Sequence, residues 1–216
     1  MFTGIVEEIG TVHSVKKGSS SMRLLITCSH VLTDVTKGDS ISVNGVCLTV
    51  SEFSTTRFVA DVMPETFKAT TLFTLEPGSH VNLERAMAAN GRFGGHFVTG
   101  HVDCIGEITA VRSIENAIYM DIRIDSAFQS HLVPKGSITI DGTSLTIFGI
   151  SEQGVTISLI PVTQADSVLG YKRIGDYVNV ECDILAKYLE RIVSRKETKP
   201  SGGLTMDALA KSGFLE

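Results

Sequence analysis

The sequence has no excess of basic charge, no long apolar run and no clustered cysteines, and each absence removes a class of function. With 19 Lys and Arg against 24 Asp and Glu, the net charge is −5. A general nucleic-acid binder would need a basic face instead. No apolar stretch reaches the length needed to span a bilayer. The opening residues MFTGIVEEIG lack the basic and long apolar segments of a secretory leader, so none is expected. Cys28, Cys47, Cys104 and Cys182 form no CxxC pair and no zinc pattern, and reduced thiols in a cytoplasmic protein are expected. GxGxxG, P-loop, GxSxG and HExxH motifs are all missing. Tryptophan is absent and helix-length amphipathic patterns are scarce.

What the chain has is a repeat. TGIVEEIGTV (3–12) returns as TGHVDCIGEI (99–108), and KGDSISVNGVCLTV (37–50) as KGSITIDGTSLTI (135–147). VMPETF (62–67) returns as LIPVTQ (159–164), and GSHVNLE (78–84) as GDYVNVE (175–181). Four blocks in one order at a nearly constant offset mean a duplicated domain, not a short solenoid unit. Thr99 opens the second copy. The glycine-rich run GGHFVTGHVD (94–103) is therefore a joint, with His101 in the place of Ile5. Lys135 is matched to Lys37.

Each copy reads as β. Residues 4–15, 22–28, 40–44, 46–53, 57–63 and 80–84 are short, β-branched and partly alternating. Asn44-Gly45 and Asp141-Gly142 are two-residue hairpin signals, because both central residues of such a turn need positive φ. Short helical pieces are expected near 29–36, 65–73 and 126–133. Six strands per copy without a long crossover helix predict antiparallel barrels. In CDILAKYLERIVSRKE (182–197), Leu185, Tyr188, Leu189, Ile192 and Val193 follow helical spacing. That stripe needs a partner, either the chain's own barrels or another copy. Residues 198–203 read as a flexible stop, and the last residues as mobile or loosely docked.

Candidate chemistry concentrates at equivalent positions. Cys47 lies two residues after its hairpin turn and Ser144 two after the other, with Thr49 and Thr146 on the same faces by period two. A wall facing only core would carry branched aliphatics at these sites, so they read as pocket walls for a polar ligand. A nucleophilic Cys47 would need a neighbouring cation, and its plain alternative is a small buried hydrophobe. His96 and His101 are candidate acid–base groups, five apart, so only a bend at Gly100 could bring both rings to one site. His13, His30, His80 and His131 read as surface residues. Pro64 and Pro161 start turns or helices that place Thr66 and Thr163 at a barrel mouth.

MFTGIV, NGVCLTV, DGTSLTI, MPETFKATTL and GRFGGHFVTGHVD together resemble the riboflavin synthase family, α-chain type, over nearly the whole chain. The resemblance implies an all-β fold of tandem six-stranded Greek-key barrels (1–96 and 97–184), a C-terminal oligomerisation helix (185–197) and a tail (198–216). It implies a homotrimer whose site joins the N-terminal barrel of one subunit to the C-terminal barrel of the next. Each barrel would bind one 6,7-dimethyl-8-ribityllumazine. A four-carbon unit passes between them, giving riboflavin and 5-amino-6-(ribitylamino)pyrimidine-2,4-dione, with no metal or cofactor. Some members sit inside a lumazine synthase shell.

The same resemblance implies the site residues. Gly4, Ile5 and Val6, Cys47, Leu48 and Thr49, and Asp61, Val62, Met63, Pro64, Glu65 and Thr66 should line the N-terminal pocket. Gly100, His101 and Val102, Lys135, Ser144, Leu145 and Thr146, and Leu159, Ile160, Pro161, Val162 and Thr163 should line the C-terminal one. Cys47, Ser144, His101 and His96 are the candidate catalytic groups. Val162 departs from the Pro-Glu-Thr seen in both copies of many members and cannot replace a carboxylate. The alternatives are a lumazine- or flavin-binding fluorescent protein on the same scaffold, a flavin barrel of a reductase, and a purely structural trimer.

Overall fold

The structure, a computed structural model, describes residues 1–18, 21–197 and 206–213. β1 (Glu8–Lys17), β2 (Met22–Thr27), β3 (Ser40–Val43), β4 (Val46–Phe53), β5 (Arg57–Val62) and β6 (His80–Arg85) close into a barrel in the order β1-β2-β5-β4-β3-β6. The second copy repeats this with β7 (Cys104–Ile114), β8 (Ala117–Arg123), β9 (Ser137–Ile140), β10 (Thr143–Ser151), β11 (Gly154–Leu159) and β12 (Tyr177–Cys182), closed as β7-β8-β11-β10-β9-β12. All pairings are antiparallel. Neighbours that are distant in sequence, β2 with β5 and β3 with β6, make the order a Greek key.

Alternation builds each core. Phe58, Ala60 and Val62 point inward from β5 and meet Met22, Leu24 and Ile26 of β2. Ile108, Met120, Ile122, Ile138 and Ile157 do the same in the second barrel. Each of the larger of these buried side chains stabilises the fold by about 1.5–3 kcal/mol. Small barrels must curve, and the register shifts at Val12/Ser14 and Val50/Glu52 recur at Ile108/Ala110 and Ile147/Gly149. α1 (Pro64–Ala69) and α2 (Pro161–Asp166) each begin on their proline and close one barrel end.

The first strand starts at Glu8, not at residue 4. Thr3 and Gly4 leave the sheet because a buried carboxylate, Glu84, takes their N–H groups, and Gly4 turns at φ +78°. The expected pairing of Lys135 with Lys37 is also corrected. Lys135 N–H donates to Ile147 O as Gly38 N–H donates to Val50 O, so Lys135 occupies the glycine position, at φ +64°.

The two hairpin turns pack tip to tip. A Cβ on Gly45 would lie 2.7 Å from Gly142 N, and one on Gly142 2.8 Å from Gly45 N. Around this contact the barrels exchange hydrogen bonds in pairs. Asn82 Nδ2 donates to Asp141 O, and Asn179 Nδ2 donates to Asn44 O, both at 2.8 Å. Val168 N–H donates to Asn82 Oδ1 and Thr71 N–H to Asn179 Oδ1. The barrels are thus related by a pseudo-two-fold axis through the turns.

α3 (Ile184–Glu197) leaves the second barrel and is fixed near its base. Lys187 Nζ donates to Asp103 Oδ1 at 2.7 Å, Ser130 Oγ donates to Glu190 Oε1 at 2.6 Å, and His131 pairs with Glu190. His131 is therefore not a surface residue, since its side chain is 13% exposed. Leu185, Tyr188, Leu189, Ile192 and Val193 are each more than half exposed, so the stripe does not pack on the chain's own barrels. α4 (Met206–Lys211) follows, and the expected stop at 198–203 lies outside the described residues.

One position breaks the symmetry of the axis. Asn44 Oδ1 accepts from Asn82 N, and the equivalent Asp141 Oδ1 accepts from Asn179 N. Asp141 is fully buried, its Oδ2 has no hydrogen-bond partner among the described residues, and Lys172 Nζ stands 3.6 Å away. Burial pushes this carboxyl up to about 6, only partly offset by Lys172. The folded state then holds a proton that the unfolded chain has released between about pH 4 and 6, so stability falls as pH rises through that window and levels off above it. Asp141→Asn removes the titration. Chemical denaturation should show the variant gaining up to about 3 kcal/mol on wild type between pH 4 and pH 7. A constant difference between the two across that range would contradict the assignment.

Candidate active site

The site grows from two buried glutamates. Glu84 at the end of β6 accepts from Thr3 N, Thr3 Oγ1 and Gly4 N, at 2.7, 2.8 and 3.0 Å. Glu181 on β12 accepts from Thr99 N, Thr99 Oγ1 and Gly100 N, at 2.7, 2.7 and 3.0 Å. Burial raises both carboxyls, and the donated hydrogen bonds oppose it. Each Thr-Gly step is thereby bent away from its own barrel.

The bend carries each step to the opposite barrel. Gly4 O accepts from Ser144 N at 2.7 Å, and Gly100 O accepts from Cys47 N at 2.9 Å. The approach is close enough to demand glycine: a Cβ on Gly4 would stand 2.6 Å from Ser144 Cβ, and one on Gly100 2.6 Å from Cys47 Cβ. The expected grouping of pocket residues is therefore crossed. Gly4, Ile5 and Val6 join Thr143, Ser144, Val162, Thr163, Asp166 and Ser167 around an open cleft of about 170 Å³ at the second barrel. Gly100 joins Cys47, and Val102 packs on the core of the first barrel.

His96 and His101 part company at Gly100. His101 is exposed, one residue after the Gly100 that abuts Cys47. His96 is 9% exposed, with Nδ1 2.7 Å from Ser144 Oγ and Nε2 3.1 Å from Thr139 Oγ1. Burial lowers its pKa, with Asp183 opposing, which favours the neutral ring. A neutral imidazole on a hydroxyl that faces a cleft is able to accept a proton.

Other expected residues fall elsewhere. Leu48, Val62, Leu145 and Leu159 are buried core, because inward alternation claims them. Asp61 points outward from β5, 64% exposed and 3.8 Å from Arg23. Lys135 is not among the cleft residues; its Nζ lies 4.4 Å from the Phe148 ring centroid. Met63 and Ile160 are exposed beside Pro64 and Pro161. Thr49 and Thr146 are also exposed, Thr66 is half-buried, and Glu65 is exposed opposite Val162 in the repeat. Glu84, Glu181, Thr139, Thr143, Asp166 and Ser167 were missed. The two glutamates end the matched blocks GSHVNLE and GDYVNVE, a signal that was present but carried no mark of chemistry. Among the described residues no cluster of His, Cys, Asp and Glu could hold a metal ion.

Twin barrels whose mouths are built from each other's linkers define a duplicated ligand-binding module, and the family model for the lumazine binding domain matches twice, at residues 3–86 and 99–183. The solved structure of LumP complexed with 6,7-dimethyl-8-(1'-D-ribityl) lumazine is similar, at 29% identity and TM-score 0.76, over 84% of this chain and 98% of that one. LumP complexed with riboflavin aligns with TM-score 0.79. Riboflavin synthase of Bacillus subtilis (strain 168) is 54% identical over 99% of this chain and 100% of its own length. Riboflavin synthase of Actinobacillus pleuropneumoniae is 46% identical over the same shares. The chain belongs to the riboflavin synthase family.

The crossed glycines generate a prediction. Gly4→Ala and Gly100→Ala each place a Cβ against backbone and side chain at positive φ. Each should cost about 1–3 kcal/mol in denaturant unfolding and weaken lumazine binding in a fluorescence titration. Wild-type stability and affinity in both would contradict the crossed geometry.

Proposed function

We propose that the chain is a riboflavin synthase that transfers a four-carbon unit between two molecules of 6,7-dimethyl-8-ribityllumazine. The products are riboflavin and 5-amino-6-(ribitylamino)pyrimidine-2,4-dione. Two identical reactants divide into these products with no atom left over, so the overall reaction needs no oxidant, reductant or cofactor. The observation that carries the reading is the pair of equivalent crossings, Gly4 on Ser144, whose hydroxyl is bonded to His96, and Gly100 on Cys47. Identity of 54% to a riboflavin synthase along nearly the full chain favours the enzyme over a passive binding protein, whose solved examples are 28–29% identical.

The chemistry suits these residues. The 7-methyl protons of the lumazine are acidic, because the resulting carbanion spreads into the ring, so an imidazole suffices as base. Ser144 Oγ relays the proton to His96, while Cys47 handles the electrophilic ring carbon of the other molecule. Holding both heterocycles face to face supplies part of the barrier as positioning, on the order of several kcal/mol. The remaining polar groups at the mouths, Thr163, Asp166 and Ser167 in the second and Glu65 and Thr66 in the first, orient ring and ribityl chain.

The two mouths of one chain do not have to serve each other. We place the working pair between the N-terminal barrel of one subunit and the C-terminal barrel of the next, in a cytoplasmic homotrimer held by the exposed stripe of α3. No helix among the described residues is long and apolar enough to cross a membrane.

Incubating the purified protein with the lumazine should give riboflavin and the pyrimidinedione in equal amounts. Cys47→Ala and His101→Ala should each lower turnover with circular dichroism unchanged, and His96→Gln, which removes the base, should lower it about 10²-fold or more. Binding without product in wild type would favour the fluorescent binding protein. The acid limb of kcat/KM should lie below the usual imidazole midpoint, since folding lowers His96. A Leu189→Asp, Ile192→Asp double variant should sediment as a monomer and lose activity. A trimer from that variant would exclude the α3 stripe as the contact.

A further inference from the structure

Thr139 is buried between Ile138 and Ile140 on β9, 1% exposed. It stands directly opposite Ser144 of β10 in the sheet register. Opposed residues on antiparallel strands project to the same face. The His96 ring bridges the two hydroxyls, with one ring nitrogen on each. A neutral imidazole has one donor and one acceptor nitrogen, so only one hydroxyl accepts from the ring while the other donates to it.

The chemistry asked of Ser144 assigns the roles, since a hydroxyl that passes a proton to the ring must face a nitrogen lone pair. Both contacts lie within hydrogen-bonding distance. Nδ1 is 2.7 Å from Ser144 Oγ, and Nε2 is 3.1 Å from Thr139 Oγ1. We propose that Thr139 is a positioning residue that accepts the Nε2–H of His96, so that the Nδ1 lone pair faces Ser144 and the cleft. Thr139 is a neutral partner. It fixes ring orientation and tautomer without supplying the negative charge that would stabilise an imidazolium. His96 therefore remains a weak base, matched to a carbon acid that needs no strong one.

The duplication isolates this role. The same cross-strand pair in the first barrel is Ser42 opposite Cys47, and no imidazole hydrogen-bonds to either among the described residues. Thr139 adds a methyl group to Ser42's hydroxyl at the one position where a ring must be wedged.

The assignment rests on the proposed function, in which Ser144 passes the proton to His96, while the tautomer itself is read separately. Long-range proton–nitrogen correlation of the histidine side chains in the intact protein, at pH 7.5, should show His96 neutral and protonated on Nε2. A His96→Gln sample identifies the signal. Thr139→Val should lose the single tautomer, lower turnover about 10²-fold and shift the acid limb of the pH profile. Thr139→Ser, which keeps the acceptor, should restore the tautomer and most of the rate. A wild-type proton on Nδ1 overturns the assignment, as does a Thr139→Val spectrum and pH profile identical to wild type. The wild-type spectrum decides the tautomer whether or not Thr139→Val folds. An Nε2–H ring in a protein that makes no riboflavin would support the Thr139 assignment and reject the reaction.

Discussion

The arrangement depends on a buried carboxylate at each barrel rim. Glu84 and Glu181 are almost fully buried, and each is satisfied by two backbone N–H groups and one threonine hydroxyl. Removing a carboxylate from water is costly unless its oxygens are bonded, and charge-assisted bonds of this kind are the strong ones. The strand that would otherwise continue upstream is thereby stopped. The Thr-Gly step turns outward, and its carbonyl is aimed at the other barrel. Without the glutamate, the unpaired N–H groups of residues 3 and 4 would have every reason to rejoin the sheet.

From that constraint the exchange of linkers follows, and from the exchange follows the site. Each mouth contains a residue after a hairpin turn, Cys47 or Ser144, whose backbone N–H is held by the opposite linker. Neither barrel builds a complete mouth alone. The two turns that touch on the axis set the distance between barrels, and Asn82 and Asn179 fasten it by bonding across. Two symmetric halves would bind two identical molecules identically, which is insufficient for a reaction with a donor and an acceptor. The differences supply the distinction: thiol against hydroxyl at 47 and 144, acid against valine at 65 and 162, and an imidazole bridge on one side only.

Much of this was legible from residue patterns. The duplication, the six strands per copy and the hairpin turns follow from matched blocks, alternation and two dipeptides that require positive φ. Cys47 and Ser144 stand out because polar residues replace the expected aliphatics at a strand start. The crossing was not legible. Periodicity reports which face a residue presents within its own strand, not which barrel a linker reaches, and the resemblance grouped Gly4 with the first barrel and Gly100 with the second. Leu48, Val62, Leu145 and Leu159 come with that resemblance, whereas alternation alone sends them inward. Lys135 was matched by identity to Lys37, whereas the backbone places it at a positive φ that glycine fills in the first copy. Thr139 was invisible, since a threonine in a short strand is ordinary until a ring from a distant joint is seen to rest on it.

The histidine joint resolves why five residues separate His96 from His101. Gly100, at φ +79°, reverses the chain between them. The His96 ring lies on Ser144 and Thr139 of the second barrel, and His101 is exposed. A metal site would have required both rings to converge on one ion; the glycine makes them diverge. The two imidazoles of this short stretch sit in different environments: buried at 96, where desolvation lowers the pKa, and open to solvent at 101. A duplicated scaffold that starts from equal halves needs only one asymmetric connector to make its two mouths chemically unequal. The connector does so by position, because His96 reaches a hydroxyl pair of the second barrel while Gly100 abuts Cys47 of the first.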